Sequence, residues 1–251
     1  MNCKEKKSYW QRAIHWHEYV LALVKGVGTL ILISYLFYGS ILAAIFLSPY
    51  LFWYMKSWKK QTMQKKQQIF RLEFKEAIQA WSIALNVGYS AENALSEAQK
   101  DLDVLYPRDA FIQQELCHMI RQLNMNMPLE QVLKEFAQRT QDEEVQVFVT
   151  VFSMAKRSGG DMIGIIKNAV RQIGEKIDVK REIDTMMTAK QLEFRIMSAI
   201  PFAMILYIRL SFPNFMNVLY GNVLGGIIMS LSLVVYMAAY IFGKRIVEIE
   251  V

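Results

Sequence analysis

The sequence predicts an all-α membrane protein with about four transmembrane helices, arranged as two hydrophobic hairpins, and an antiparallel helical bundle between them. Three observations carry this reading. No charged residue occurs from Gly26 to Met55, and Arg209 is the only one between Arg195 and Lys244. Between Lys56 and Arg195, charged and apolar positions alternate at helical spacing, and no run keeps a period of two long enough for a strand. A chain of 251 residues that is 53% hydrophobic is also richer in apolar side chains than a soluble domain requires.

Residues 1–18 read as a basic interfacial segment, with Lys4, Lys6, Lys7 and Arg12 beside Trp10 and Trp16. The segment lacks a small-residue cleavage site after a short apolar core, so a removable signal peptide is not expected. A membrane core needs about 20 helical residues. The stretch from Gly26 to Met55 therefore fits one long tilted span, or two short ones once Tyr19 to Val24 are added. Sidedness of charge selects two. Lys25 and the N-terminal cations precede the stretch, and Lys56, Lys59, Lys60, Lys65 and Lys66 follow it, so both flanks belong on the positive, cytoplasmic side. The first hairpin is placed at 19–56, with spans at about 20–38 and 40–56 and a turn at Tyr38-Gly39-Ser40.

Residues 57–195 form the expected cytoplasmic domain. Its first helix shows an apolar stripe of Ile69, Phe70, Leu72, Phe74, Ala77, Ile78, Trp81, Ile83, Ala84 and Leu85, and stops at Asn86-Val87-Gly88. Ser90 caps the second helix, Pro107 starts a third that ends near Asn124 to Asn126, and Pro128 opens a fourth reaching about Arg139. A fifth runs from about Glu143 to Arg157 and breaks at Ser158-Gly159-Gly160. Asp161 then caps a sixth, which continues into the third span.

An internal repeat underlies these stops. Residues 85–97 (LNVGYSAENALSE) match 123–135 (LNMNMPLEQVLKE), with Leu, Asn, Glu, Leu and Glu identical in register, and Ser158-Gly159-Gly160-Asp161 begins a weaker third copy. The predicted structural turns are thus Gly88, Asn126, Gly159 and Gly160, and hairpins with such short turns pack into a bundle. The second membrane hairpin spans 196–243, with helices at about 196–212 and 222–243 separated by Pro213, Asn214, Asn217, Gly221 and Asn222. Arg209 is expected to reach toward the outer end of its span. A cytoplasmic tail, 244–251, closes the chain.

A net charge of +6 invites nucleic acid, but much of the excess lies at membrane boundaries, where anionic lipid explains it better. No nucleic-acid partner is expected. Ser158-Gly159-Gly160 is not followed by the Lys-Ser or Lys-Thr of a nucleotide loop. His15 and His17, two residues apart, face different sides of a helix without a third ligand, and His118, Cys117 and Glu115 share one amphipathic helix without a base–nucleophile pairing. Cys3 and Cys117 are both placed in a reducing compartment, which argues against a disulfide. The sequence therefore calls for no catalytic, metal or cofactor-binding residue. Charges beside the turns make a candidate partner-binding set: Glu92 and Glu97 after the first, Glu130 and Glu135 after the second, and Lys156, Arg157 and Asp161 around the third.

The chain resembles the F-domain family of type II secretion, the inner-membrane platform proteins of type IV filament machines. The resemblance lies in residues 84–95 (ALNVGYSAENAL), in 154–162 (MAKRSGGDM) followed by a long helix to Pro201, and in the closing IVEIEV after Gly243-Lys244-Arg245, which is similar to the tail of TadB-like platform proteins of Tad pili. It departs at Asn126, where the family usually has Gly, and in carrying one F domain where the type II secretion platform proteins have two. The resemblance implies a non-catalytic platform in the bacterial inner membrane that couples a cytoplasmic assembly ATPase to pilin insertion. Its implied partners are that ATPase, a second platform protein or another copy of itself, prepilins and membrane lipids. A membrane-anchored helical receptor or transporter accessory subunit is the alternative.

Overall fold

The computed structural model describes residues 16–39, 48–158, 161–212 and 223–247. Every regular element among them is a helix: α1 (Trp16–Tyr38), α2 (Ser48–Val87), α3 (Ala91–Leu105), α4 (Phe111–Asn124), α5 (Leu129–Thr140), α6 (Glu143–Ser158), α7 (Met162–Ser211) and α8 (Val223–Val247). The chain divides into two compact units, one built on Gln61–Val179 and one on His15–Lys60 and Lys180–Val251. The long helices α2 and α7 contribute residues to both.

In the first unit, α3 packs on α4, α4 on α5, and α5 on α6, each pair joined by a short turn. The stripe of α2 enters this core through Phe70, Phe74, Ala77, Ile78, Trp81, Ala84 and Leu85. Ile69 and Ile83, expected on the same stripe, lie at its edge and are exposed. A chain of aromatic contacts links α2 to α5 and α6: Phe70 meets Phe136 at 6.3 Å, Phe74 meets Phe148 edge-on at 5.9 Å, and Trp81 stacks on Phe152 at 5.2 Å. Burying each such ring contributes roughly 1.5–3 kcal/mol. Helix α7 joins the core through Ile166, Val170, Ile173 and Ile177. Further along, it has the length and apolarity to cross a membrane.

The helix stops explain the hairpins. Gly88 has φ +106 and Asn126 φ 61. Around Gly88, Tyr89 N–H donates to Ala84 O and Gly88 N–H to Leu85 O; around Asn126, Met127 N–H donates to Gln122 O and Asn126 N–H to Leu123 O. These are the same two bonds, a Schellman motif, in the register of the sequence repeat. A Cβ added at Gly88 would touch nothing within 4 Å, so the cost of substitution is purely conformational. Gly88→Val is expected to lower stability by about 1–2 kcal/mol or more, read as a fall in melting temperature of the full chain in detergent. An unchanged melt would show that the left-handed stop is not required. Gly159 and Gly160 lie outside the described residues. Gln141, which the sequence did not mark, is a further left-handed stop at φ 51 between α5 and α6.

One boundary differs from expectation. The helix assigned to start at Pro107 starts at Phe111, after a turn closed by Ala110 N–H donating to Pro107 O. Ala110 has no capping side chain, and the cap comes from another helix: the Glu73 carboxylate accepts from Ile112 N–H at 3.0 Å.

The second unit contains α1, the apolar start of α2, most of α7's apolar length, and α8. Among the described residues three helices are long and apolar enough to cross a membrane: Trp16–Tyr38, Met162–Ser211 and Leu224–Val247. The expected second span falls partly on residues 40–47, outside the described residues, and its remainder opens α2. Helix α1 ends at Tyr38 with Gly39 left-handed, φ 63. Leu36 and Phe37 pack on Met229 and Leu233 of α8, and Tyr38 and Ser230 share a hydrogen bond of 2.9 Å. Pro201 sits inside α7 and removes one backbone donor, and in the same turn the Ser198 carbonyl accepts from the Tyr236 hydroxyl at 2.8 Å. Arg209 finds its partner inside the protein: its guanidinium donates to the Tyr35 carbonyl and lies 3.8 Å from the centre of the Tyr35 ring.

Candidate functional site

The candidate partner-binding charges sit where helices begin and end. Ser90, in extended conformation, starts α3 by accepting from Asn93 N–H at 3.3 Å, and Glu92 stands exposed in the first turn. One turn on, Glu97 binds Lys100 at 2.8 Å, and that hydrogen bond holds the lysine protonated to higher pH than usual. Glu130 opens α5 and meets Lys156, in the last turn of α6, at 2.8 Å. An anion at a helix start and a cation at a helix end both suit the helix dipoles. The Lys156 hydrogen bond first, with the Arg157 charge as a lesser cause, keeps Glu130 below the ordinary carboxylate range. Glu135 accepts from Gln122 at 2.7 Å and Gln131 at 3.2 Å, which lowers its pKa in turn. Arg157 is exposed at the end of α6. Asp161 starts α7, its Oδ1 accepting from Gly164 N–H at 2.9 Å.

Of these seven, Glu130 and Lys156 are the pair brought into direct contact among the described residues. They join the second turn to the third. Glu92 and Glu97 remain on α3, and Asp161 is occupied as a cap.

Sequence reasoning missed a second set of polar contacts, deeper in the bundle. Arg71 of α2 donates to Asp142 Oδ2 at 2.8 Å, and Asp142 Oδ1 accepts from Glu144 N–H at 3.0 Å, so one buried carboxylate both caps α6 and ties it to α2. Glu115 of α4 takes Arg139 of α5 at 2.8 Å, and buried Glu144 takes Lys176 of α7 at 3.1 Å. The available signal was an acid inside an apolar period: Glu73 falls three residues after Phe70 and four before Ala77.

Burial raises the pKa of Glu73 above 4.5, against the lowering effect of the backbone donors Ile112 and Phe111. Such a carboxyl holds its proton longer in the folded protein than in the unfolded chain. Its contribution is therefore most favourable below the ordinary glutamate pKa and weakens as pH rises through the raised folded value. Glu73→Gln keeps an oxygen for Ile112 N–H and removes the buried charge. The variant is expected to melt at or above wild type at pH 7, and to lose that relative advantage near pH 4. A variant less stable at pH 7 by more than about 1 kcal/mol would show that the ionised carboxylate is the better cap.

The bundle is closely packed. The space bounded by Phe74, Trp81, Leu95, Met119 and Phe148 is about 20 Å³, close to one water and far below a metabolite pocket. Among the described residues no group of three or more His, Cys, Asp or Glu side chains is placed to hold a metal ion. What the surface offers is a set of oriented charges at helix ends.

These features define a class: an all-helical protein with membrane-spanning helices and an attached bundle that presents charged turns. The family model described as type II secretion system (T2SS), protein F, matches residues 77–209, more than half of the chain, and the chain belongs to that family. Its members are in general non-catalytic membrane platform proteins. No curated protein and no solved structure matches the chain.

Proposed function

We propose that this protein is a non-catalytic platform of a bacterial type II secretion or type IV, Tad-like pilus assembly machine, set in the cytoplasmic membrane by four spans. In this reading 57–195 is a cytoplasmic domain between hairpins at 19–56 and 196–243. It docks the assembly ATPase and passes its work to prepilins entering the filament, together with a second platform protein or another copy of itself. The observation that carries the reading is the extent of the family match, which takes in the bundle from Ala77 and runs along α7 to Arg209. One continuous helix of 50 residues is a fitting element for coupling a docking domain to a span.

The docking surface is assigned to the turns at Glu130, Lys156 and Arg157. Arg157→Glu is expected to weaken binding of the full chain to its assembly ATPase by about tenfold and to stop filament output without changing the melt, since exposed charges contribute little to stability. Lys156→Glu also places two carboxylates together, so it is compared with the Glu130→Lys, Lys156→Glu exchange, which restores the pair. Binding lost in both assigns Lys156 to the interface, and binding recovered in the exchange assigns it to the fold. Normal filaments with unchanged ATPase binding in Arg157→Glu would remove this surface, and ATP hydrolysis by the purified chain would overturn the platform reading.

A further inference from the structure

A second periodicity runs along α7, on a face other than the one packed against α8. Toward α8 it turns Phe194 and Phe202, whose rings lie 5.4 Å from Tyr240 and 5.1 Å from Tyr236. After Ile177 no residue of α7 is fully buried. Alternating steps of three and four along this length trace one continuous face, with Val179, Met186, Glu193, Ile200 and Tyr207 at one repeating position and Ile183, Lys190, Met197 and Met204 at the other. These are the d and a positions of about four heptads, the pattern that seats one helix against another in a coiled coil. Val179 is 55% exposed and Met186 63%, and Met197, Ile200, Met204 and Tyr207 are exposed as well.

Inside a bilayer, exposed apolar side chains meet acyl chains and need no protein partner. Upstream of the span they have no such cover. Seven of the sixteen residues from Lys180 to Arg195 are charged, which sets this stretch outside the hydrocarbon. There Val179 and Met186 hold apolar surface in water unless protein covers it. The face is also self-complementary in charge. Lys190 and Glu193 pair along the helix at 3.2 Å, one at an a and the other at a d position, so a two-fold axis brings each ammonium within reach of the other copy's carboxylate. Copies inserted in one membrane share one orientation, which makes the pairing parallel. A lone lysine among apolar a positions is a residue that fixes register and strand number.

We propose that α7 pairs in parallel with α7 of a second copy of this chain, along the face from Val179 to Tyr207. Val179, Ile183 and Met186 close the contact outside the membrane, the layer of Lys190 and Glu193 sets its register, and Met197, Ile200, Met204 and Tyr207 continue it through the span. The inference rests on the membrane-spanning reading of α7. Of the two platform partners named above it selects a copy of the chain itself, and it makes no use of ATPase docking.

The test is disulfide crosslinking in membranes by copper phenanthroline, on a Cys3→Ser, Cys117→Ser background, together with sedimentation of the full chain in density-matched detergent. Met186→Cys and Ile200→Cys are expected to crosslink into dimers, whereas Thr188→Cys, exposed on another face of the same helix, is not. Wild type should sediment as a dimer. Met186→Glu adds like charges to the seam and should weaken self-association by about tenfold or more, with helical content unchanged. Lys190→Glu alone should weaken it likewise, and adding Glu193→Lys should restore it to within about threefold of wild type. Thr188→Glu should leave it as it was. Crosslinking of Thr188→Cys as strong as that of Met186→Cys, a monomeric wild type without crosslinks, or a dimer indifferent to Met186→Glu and Lys190→Glu would overturn the proposal. Neither readout involves the ATPase, so failure of the platform role leaves these results unchanged, and failure of the seam leaves ATPase binding to be judged by Arg157→Glu alone.

Discussion

Trp81→Ala is expected to lower the stability of the helical bundle by about 3–5 kcal/mol, the range for removing a large aromatic side chain from a packed core. Trp81 is almost fully buried, with its ring 5.4 Å from Phe148 and 5.2 Å from Phe152, and its indole N–H donates to the Ala91 carbonyl at 3.0 Å. One side chain therefore joins α2 to α6 and to the first residue of α3. The two roles are separable. Trp81→Phe keeps most of the ring packing and removes the indole N–H donated to the Ala91 carbonyl, so it should cost about 1–2 kcal/mol. Ile83→Ala, two residues away at 65% exposure, should stay within about 0.5 kcal/mol. The measurement is the unfolding midpoint of the full chain in detergent for all three variants. A Trp81→Ala melt indistinguishable from that of Ile83→Ala would mean that the aromatic chain does not hold the bundle.

The helix stops were legible because they depend on local backbone chemistry. Glycine and asparagine are the residues that tolerate left-handed φ, and the repeat placed Gly88 and Asn126 in register, where both close the same pair of hydrogen bonds. Ser90 and Asp161 were legible as caps for the same reason: their partners are three residues away. The stop at Gln141 was not, because glutamine carries no left-handed preference, and the next residue, Asp142, is held by Arg71, 71 positions upstream in sequence. The start of α4 failed likewise, since its cap, Glu73, comes from 39 positions upstream. At the candidate site the charges were legible as charges, but their pairing was not. Glu130 reaches Lys156 only because α5 and α6 run antiparallel and bring the start of one to the end of the other. Local periodicity identifies which residues are polar at a turn; only the packed bundle decides which are already engaged with each other and which face outward.

Asp142→Ala is the second large effect expected, and its origin is polar. The Asp142 side chain is 1% exposed and Arg71 25%. Removing the carboxylate takes away the cap of α6, about 1 kcal/mol, and leaves the Arg71 guanidinium without its anion. Breaking a fully buried pair costs about 3–5 kcal/mol, but Arg71 can turn part of its head toward water, so a total of about 3 kcal/mol is expected. Asp142→Asn retains an oxygen for Glu144 N–H and loses only the charge, and should cost about half as much. Arg71→Met is the informative partner, because it strands the buried carboxylate while leaving the cap in place. If the two side chains act as one unit, the double variant Arg71→Met, Asp142→Asn will be less destabilised than the sum of the single changes by about 1 kcal/mol or more. Additive losses would mean that Asp142 serves α6 as a cap alone and that α2 is held by its aromatic face. Coupled losses would make Arg71–Asp142 the polar tie between α2 and the start of α6, the helix whose other end carries Lys156 and Arg157. Weakening it should then loosen the presentation of those charges, and ATPase binding by Asp142→Ala should fall even though the substitution touches no residue of the proposed surface.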